Sequence, residues 1–242
     1  MKNEVTFRVK GKYALFTDPV SKIGGEKSTL LVPTYQALIG IIESVYWKPS
    51  IVYYIDKVCV VRPIRTETKG IRPIKYGGGN DLANYTYLSD VEYIVTAHFE
   101  FNQNRMDLKQ DFNENKHYFI LKRALERGGR RAPYLGVSEC PCSVEPCTFS
   151  NAESAYKATE ELSFGLQYHS LSYPDENGKG ELWAKYWTPV MKNGIIEYLR
   201  PEDCPREKFI RKMDMKTFSF GDNFSGTAED DILNGYEEGE NA

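Results

Sequence analysis

The chain of 242 residues is long enough for one large domain or for a domain with an appended second lobe. Its composition, 41% hydrophobic and 27% charged, is typical of a soluble globular protein, and no apolar run is long enough for a membrane-spanning helix. The net charge of −3 hides a division between residues 1–135, with a net charge of +7, and residues 136–242, with a net charge of −10. A basic front half suits a polyanionic partner, although chance unevenness with an acidic tail is an equally good explanation.

The cysteine pattern predicts an intracellular protein without a metal or cofactor. The first 16 residues lack the apolar block of a signal peptide, and the chain has an odd number of cysteines, five. These features predict a reducing cytoplasm with free thiols. Cys140, Cys142 and Cys147 lack the paired C-x₂-C spacing of a zinc site and have no histidine nearby, so we expect structural thiols.

The first half of the chain alternates between strand and helix patterns. Residues 4–16 read as a strand, 17–32 as a loop and 51–64 as a second strand rich in β-branched residues. Between them, a helix is expected to begin near Pro33 and to end before Pro49. Its apolar stripe consists of Ala37, Leu38, Ile41, Ile42 and Val45.

A second unit of the same kind follows. A basic, glycine-rich loop is expected from Arg65 to Asn84, then a strand over residues 85–101. Asp111 is predicted to cap a second helix, with Glu114 completing a capping box and Gly128-Gly129 ending the helix. Its apolar stripe consists of Ile120, Leu121, Ala124 and Leu125, and a short strand is expected near residues 134–144.

The order β-α-β-β-α-β predicts an α+β protein whose residues 1–145 form a ferredoxin-like (RRM-like) domain. Residues 146–220 are predicted to form a smaller β-rich C-terminal domain with a hairpin turn at DENGKG. Residues 221–242 contain seven acidic and no basic residues and are predicted to be a disordered tail.

This topology predicts a cluster formed by Tyr46, Lys116 and His117. The two helices should run in opposite directions on one face of the sheet, so the end of the first helix should meet the start of the second. A helix N-terminus attracts phosphate, Lys116 adds a full positive charge, and the helix dipole favours a neutral His117.

A phenol, an ammonium and an imidazole are the groups needed for metal-free RNA cleavage by the ribose 2′-hydroxyl. That reaction needs a base, an acid for the leaving 5′-oxygen and a cation at the phosphate. The alternative is structural: His117 lies on the apolar stripe of its helix and packs in the core, Lys116 is solvated, and Tyr46 is an amphipathic helix end.

Basic residues of the front half are candidates for RNA binding, with Tyr85 and Tyr87 nearby to stack on bases. Each of these residues could also belong to a solvated face. The candidates are Arg62, Arg65, Lys69, Arg72, Lys75, Lys122, Arg123, Arg127, Arg130 and Arg131.

Several stretches of the sequence closely resemble the CRISPR-associated Cas-five family, d-type of subtype I-C, in the RAMP superfamily. They cover nearly the whole chain in order and include VPTYQALIGIIESVYWKP, KGIRPIKYGGGN, AHFEFN, KHYFILKRAL and RPEDCP. The resemblance implies a ferredoxin-like N-terminal domain, a smaller β-rich C-terminal domain, and a metal-independent endoribonuclease. It also implies that the catalytic residues are Tyr46, Lys116 and His117.

The same resemblance implies cutting of CRISPR precursor RNA within each repeat, at the base of the repeat hairpin. It further implies retention of the 5′ handle together with the other subtype I-C Cascade subunits. We expect His117 or Tyr46 to activate the 2′-hydroxyl and Lys116 to stabilise the phosphate charge. The rival hypothesis is a non-catalytic Cascade subunit that binds the 5′ handle, and a further alternative adds duplex DNA as a partner of the same basic surface.

Overall fold

The computed structural model describes residues 3–22 and 25–224. The predicted acidic tail therefore lies, from residue 225 onward, outside the described residues. The helices are α1 Pro19–Lys22, α2 Tyr35–Val45, α3 Glu114–Glu126 and α4 Pro174–Asn177, with 3₁₀ helices at Met106–Asp111 and Pro201–Asp203. The strands are β1 Glu4–Ala14, β2 Ile51–Val60, β3 Thr66–Ile71, β4 Ala83–Phe101, β5 Ser143–Pro146, β6 Leu162–Ser163, β7 Gln167–Ser172, β8 Glu181–Trp187, β9 Val190–Lys192, β10 Ile195–Glu197 and β11 Arg206–Lys212.

The larger sheet has eight strands, and its main order is β5-β1-β4-β2-β10-β9-β6, with every pair antiparallel. The first four strands in that order come from the half of the chain with the β-α-β-β-α-β pattern. The last three come from residues 162–197 and extend the sheet beyond β2. The expectation of an α+β protein with antiparallel sheets is confirmed.

The loop predicted from Arg65 to Asn84 contains a strand, so this prediction is wrong. Thr66–Ile71 forms β3, which pairs antiparallel with the first part of the 19-residue β4. The glycines and basic residues of the segment suggested a loop, but β3 is held by backbone pairing with β4 while most of its side chains remain exposed. At the tip of this hairpin, Ile74 and Tyr76 are highly exposed.

Helix α2 lies between the larger sheet and a second sheet of three strands, ordered β11-β8-β7. It therefore buries more of its surface than a one-sided helix: Tyr35 and Ile39 are buried in addition to the predicted Leu38, Ile41, Ile42 and Val45. The Tyr35 ring stacks on His169 of β7 at 4.3 Å, and Gln36 accepts a hydrogen bond from the Leu171 backbone. Both contacts tie the second sheet to α2.

The hairpin turn predicted at DENGKG does join two antiparallel strands, β7 and β8, although the short helix α4 forms the first part of the connection. No helix in the described part of the chain is both long and apolar enough to cross a membrane.

The cap of α3 differs from the prediction. Asn113, and not Asp111, is the N-cap: its side-chain oxygen accepts a hydrogen bond from the Lys116 backbone N–H at 3.1 Å. Asp111 lies two residues earlier, at the end of a 3₁₀ helix, and its carboxylate is buried against Ser50. The spacing of Asp111 and Glu114 suggested a capping box, but the 3₁₀ helix moves the start of α3 toward the C-terminus. The predicted end is confirmed, with Gly128 and Gly129 at positive φ after Glu126.

We predict that Asn113→Ala destabilises the protein by about 1 kcal/mol, because the first turn of α3 loses its side-chain cap. Urea unfolding measures this change. Asn113→Asp preserves the cap, and Asn115→Ala is the matched control, because Asn115 is likewise exposed in the same turn but does not cap the helix. An equal loss of stability in Asn115→Ala and Asn113→Ala would contradict the assignment of the cap.

Candidate catalytic site

The predicted contact between Tyr46 and His117 is present. The hydroxyl of Tyr46, the residue that follows α2, lies 2.9 Å from Nδ1 of His117 in the first turn of α3. The residues that follow α3 also reach the end of α2, because the Arg131 backbone donates to the Ser44 carbonyl at 3.0 Å. Residues 71 positions apart are thus brought together by the packing of α3 against the end of α2.

The second nitrogen of His117 fixes its tautomer. Nε2 lies 2.8 Å from the backbone carbonyl of Asp111, which can only accept, so Nε2 carries the proton. Nδ1 therefore has a lone pair and accepts the hydrogen bond that the Tyr46 hydroxyl donates. The Asp111 carboxylate lies 3.5 Å from Nε2 and accepts a hydrogen bond from the Ser50 hydroxyl at 2.6 Å.

All four of these polar side chains are buried. Tyr46, His117 and Ser50 have 0% of their surface exposed, and Asp111 has 3%. The rings of Phe99 and Phe101, both on β4, meet the His117 ring edge-on at centroid distances of 5.9 Å. The imidazole is therefore fixed by apolar walls and by partners at both nitrogens.

Lys116 is placed differently from the two rings. Its side chain is exposed, and its backbone N–H is bound by the Asn113 cap. The structure thus places Tyr46 in contact with the first turn of α3, from which Lys116 projects toward solvent while His117 points into the core.

A cleft of about 1460 Å³ lies beside this cluster, between α2, the three-stranded sheet and the segment after β11. Trp47 and Lys48, which directly follow Tyr46, line it. Phe218 packs on Trp47 at a centroid distance of 5.9 Å, and Phe224 lies over the Lys48 ammonium at 5.2 Å. The chain after β11 therefore covers the residues next to Tyr46.

One acidic side chain of the cleft has an altered pKa. Glu43 on α2 is half-buried, and this burial, together with the nearby Glu176, raises the pKa of its carboxyl group to about 7. Near neutral pH the cleft therefore carries less negative charge than its composition suggests.

The candidate RNA-binding residues fall into two groups. Arg130 and Arg131 are exposed and line the cleft beside the end of α2. Their backbone N–H groups donate to the carbonyls of Val45 and Ser44, just before Tyr46. On α3 itself, Lys122 is exposed and Arg123 is half-buried, and Arg127 is exposed just beyond the helix.

The other group lies on or near the β3–β4 hairpin, and several of its members have partners within the protein. Arg62 pairs with the buried Glu92 at 3.0 Å, and Lys75 lies 3.6 Å from Asp81. The Lys69 ammonium lies 3.4 Å from the centroid of the Tyr13 ring. Arg65 and Arg72 are exposed.

The cysteines show no sign of reactivity. Burial raises the pKa of Cys140 to about 11 and that of Cys142 to about 12, so both are thiols at neutral pH. Within residues 3–22 and 25–224, no group of three or more His, Cys, Asp or Glu side chains is arranged to hold a metal ion.

Comparison with known families identifies the chain. Residues 4–198 match the Cas5d form of the family described as CRISPR-associated protein (Cas_Cas5). This chain belongs to the Cas5d family. A solved structure described as a CRISPR-associated protein is similar to it, with 33% identity, a TM-score of 0.72 and coverage of 85% of this chain and 96% of that one. A functionally uncharacterized protein from Streptococcus mutans is 36% identical, with a TM-score of 0.70 and the same coverage.

Two curated relatives carry the name CRISPR pre-crRNA endoribonuclease Cas5d. The relative from Mannheimia succiniciproducens is 27% identical over 228 residues, which span 81% of this chain and 95% of the relative. The relative from Thermus thermophilus is 26% identical over 188 residues, which span 74% of this chain and 77% of the relative.

Sequence reasoning missed Ser50 and the true position of Asp111 in this Cas5d chain. Asp111 was assigned to the helix cap because of its spacing from Glu114, and Ser50 follows Pro49 in what reads as a connecting turn. The only signal for Asp111 was the presence of a carboxylate six residues before His117. Such a carboxylate can reach the imidazole only if the chain between them folds back. That fold-back depends on the 3₁₀ helix, which the sequence pattern did not reveal.

We predict that Tyr46→Phe destabilises the protein by about 1–3 kcal/mol, because Nδ1 of His117 becomes a buried acceptor without its donor. The ring cannot compensate by changing tautomer, since Nε2 must keep its proton for the Asp111 carbonyl. Urea unfolding measures the loss. Tyr118→Phe is the matched control, because Tyr118 is half-buried and no hydrogen bond of its hydroxyl is seen in the described residues. Equal stabilities of the two variants would contradict this account.

Proposed function

We propose that this Cas5d-family chain is a metal-independent endoribonuclease that cuts CRISPR precursor RNA within each repeat, at the base of the repeat hairpin. The observation that supports it is the hydrogen bond between Tyr46 and His117, made at the helix end that carries Lys116. The names of the two curated relatives support the same activity and substrate. The chain keeps the 5′ handle of its product and assembles with the other subunits of a subtype I-C Cascade complex.

The geometry favours Tyr46 as the group that meets the 2′-hydroxyl. Both nitrogens of His117 are occupied, so His117 acts through the phenol. As the 2′-oxygen attacks the phosphorus, its proton passes to the Tyr46 oxygen while the phenol proton moves to Nδ1 of His117. The bond from phosphorus to the 5′-oxygen breaks, which leaves a 2′,3′-cyclic phosphate. The leaving oxygen takes its proton from solvent or from Lys116.

Lys116 supplies the positive charge that the crowded phosphate needs. It lies in the first turn of α3, where unpaired backbone N–H groups and the helix dipole already favour an anion. Because its side chain is exposed, RNA reaches Lys116 without any rearrangement. A charge in this position stabilises the transition state more than the bound substrate, since negative charge increases at the phosphate during attack.

RNA reaches the phenol only after the packing around it opens, because Tyr46 and His117 are buried and neither lines the cleft. The segment that carries Phe218 and Phe224 packs on Trp47 and Lys48, directly beside Tyr46. Displacement of this segment by RNA exposes the cleft next to Tyr46. Opening is thus part of the catalytic cycle in this proposal.

The RNA backbone follows the basic residues of α3 and the turn after it. Arg130 and Arg131 lie at the cleft, and Lys122 is exposed on α3. Arg65, Arg72 and Lys75 extend the surface along the β3–β4 hairpin, while Arg62 is engaged by Glu92 and contributes less. Phosphate contacts of this kind fix the position of the RNA and carry no sequence information.

The proposed architecture has a ferredoxin-like domain over residues 1–145 and a β-rich domain over residues 146–220. The strand order β5-β1-β4-β2 around α2 and α3 supports the first domain. The three-stranded sheet of β7, β8 and β11 supports the second, and β6, β9 and β10 join it to the larger sheet. A cytoplasmic location follows from the proposed RNA substrate.

The second candidate function is a non-catalytic Cascade subunit that binds the 5′ handle. The complete burial of Tyr46 and His117 favours it, because a buried hydrogen-bonded pair is also a stable element of a core. The same basic surface is suited to duplex DNA as an additional partner. The two functions differ in whether the chain cuts RNA at all.

We predict that the purified protein cuts repeat RNA in EDTA, and that His117→Ala and Lys116→Ala each reduce the cleavage rate at least 100-fold. RNA with a single 2′-deoxy nucleotide at the cut binds but is not cut, because the nucleophile is missing. Single-turnover assays measure these rates.

Lys109→Ala is the control, since it removes an exposed lysine just before the site. Undiminished cutting of the deoxy RNA would falsify the mechanism. Tight binding of repeat RNA by the wild-type protein without any cutting would establish the non-catalytic function instead.

We predict that replacing Arg130 and Arg131 by alanine weakens repeat-RNA binding and makes its salt dependence shallower. The slope of log K against log salt should fall by about 1.4 in magnitude, since each lost phosphate contact contributes about 0.7 on a single strand. Arg62→Ala should change the slope little, because Glu92 already pairs with this side chain. A larger effect of Arg62→Ala than of the double variant would contradict the placement of the RNA.

A further inference from the structure

The Nε2 side of His117 faces a buried carboxylate that the Tyr-Lys-His cluster does not include. Oδ2 of Asp111 lies 3.5 Å from Nε2 and accepts a hydrogen bond from the Ser50 hydroxyl at 2.6 Å. The backbone carbonyl of Asp111 lies 2.8 Å from Nε2 and accepts the hydrogen bond from Nε2–H. A single residue thus contacts Nε2 through its backbone and approaches it with its side chain.

We propose that Asp111 is a positioning residue: its carbonyl fixes the tautomer of His117, and its carboxylate stabilises the imidazolium formed when Nδ1 receives the Tyr46 proton. This inference rests on the proposed function and goes further, because it explains how a buried imidazole accommodates a positive charge. The Ser50 hydroxyl donates a hydrogen bond to this carboxylate and so moderates its negative charge.

The structural alternative for Asp111, that it caps α3, does not apply, since Asn113 is the cap. Asp111 is 97% buried, and a buried carboxylate is costly unless charge or hydrogen bonds compensate it. An imidazolium at His117 places a full opposite charge 3.5 Å from this carboxylate, which a neutral ring does not. The Asp111 carboxylate therefore favours the charged form of His117, which is the state that follows attack by the 2′-hydroxyl.

The groups around His117 make a pH test specific. Tyr46 faces Nδ1 from the end of α2, and Asp111 faces Nε2 from the 3₁₀ helix. From β4 the ring meets Phe99 and Phe101, which carry no charge. Its neighbour Lys116 on α3 extends into solvent. Asp111 is thus a charged neighbour of His117 that a substitution can neutralise without touching the reacting phenol.

The test uses the full chain with ¹⁵N-labelled histidine and follows His117 by NMR as the pH changes. With three histidines in the protein, a His117→Gln sample assigns the signal. In the wild type we expect the Nε2–H tautomer. In Asp111→Asn the titration midpoint of His117 should move to lower pH, by about one unit, because the imidazolium loses its counter-charge.

Ser50→Ala should move the midpoint in the opposite direction. Without the Ser50 hydrogen bond, the Asp111 carboxylate keeps more negative charge near Nε2 and stabilises the imidazolium more strongly. In the pH profile of the cleavage rate, the midpoint on the acidic side should shift in the same direction as the His117 midpoint in each variant. The cleavage rate of Asp111→Asn should fall about 10- to 100-fold. Asp107→Asn, in the same 3₁₀ helix but exposed at the surface beside Arg105, is the matched control and should leave the midpoint unchanged.

A purely structural role for Asp111 predicts something else. If the substitutions only damaged the site, the His117 midpoint would shift in the same direction in Asp111→Asn and Ser50→Ala, or would stay at the wild-type value in both. Either result would overturn the proposal. Because the NMR titration needs no RNA, it tests Asp111 even if the chain proves not to cut RNA. Should Asp111→Asn fail to fold, Ser50→Ala alone decides through the direction of its shift.

Discussion

The candidate site depends on one buried hydrogen bond, 2.9 Å long, between the Tyr46 hydroxyl and Nδ1 of His117. Each partner lies where a secondary-structure element begins or ends, and neither is exposed. A polar contact of this kind in the core must be satisfied on every side, because an unpaired donor or acceptor there costs about 1–3 kcal/mol. The surrounding features, from the Asp111 carbonyl to the cap at Asn113, meet that requirement.

The same requirement decides which side chain can act on a substrate. His117 has partners at both nitrogens and aromatic rings beside it, so in the proposed mechanism it acts through Tyr46. Lys116 precedes His117 in the chain but points the opposite way, into solvent. In the proposed mechanism, the first turn of α3 therefore separates two tasks, with the charge that meets phosphate outside and the proton acceptor inside. Access to the phenol then becomes a question of how the neighbouring cleft opens.

Much of this was predictable from the sequence because it follows from periodicity. The apolar stripes of α2 and α3 placed these helices correctly, and chain order brought Tyr46 toward His117. His117 lies on the buried stripe of α3, as the structural alternative expected, and it also makes the contact with Tyr46 that the catalytic hypothesis requires. The sequence could not reveal that Tyr46 is fully buried as well, because that depends on segments distant in the chain.

Other features were missed for physical reasons. Strand β3 has weak strand composition and exists through its pairing with β4. The capping-box spacing pointed to Asp111, but a 3₁₀ helix shifts the cap to Asn113 and frees the Asp111 carboxylate to turn inward. Strand β10 joins the larger sheet through long-range pairing with β2, which no local pattern encodes, and β9 follows by pairing with β10.

Tyr46 and His117 are proposed to act as one proton-accepting unit, and a double-mutant cycle on the single-turnover cleavage rate tests this proposal most directly. If the pair is a single unit, the double variant with Tyr46→Phe and His117→Ala should cleave RNA as fast as the slower single variant. The reason is that either substitution alone already removes the unit. If the two losses multiply, each residue acts independently on the RNA. That outcome would contradict the account.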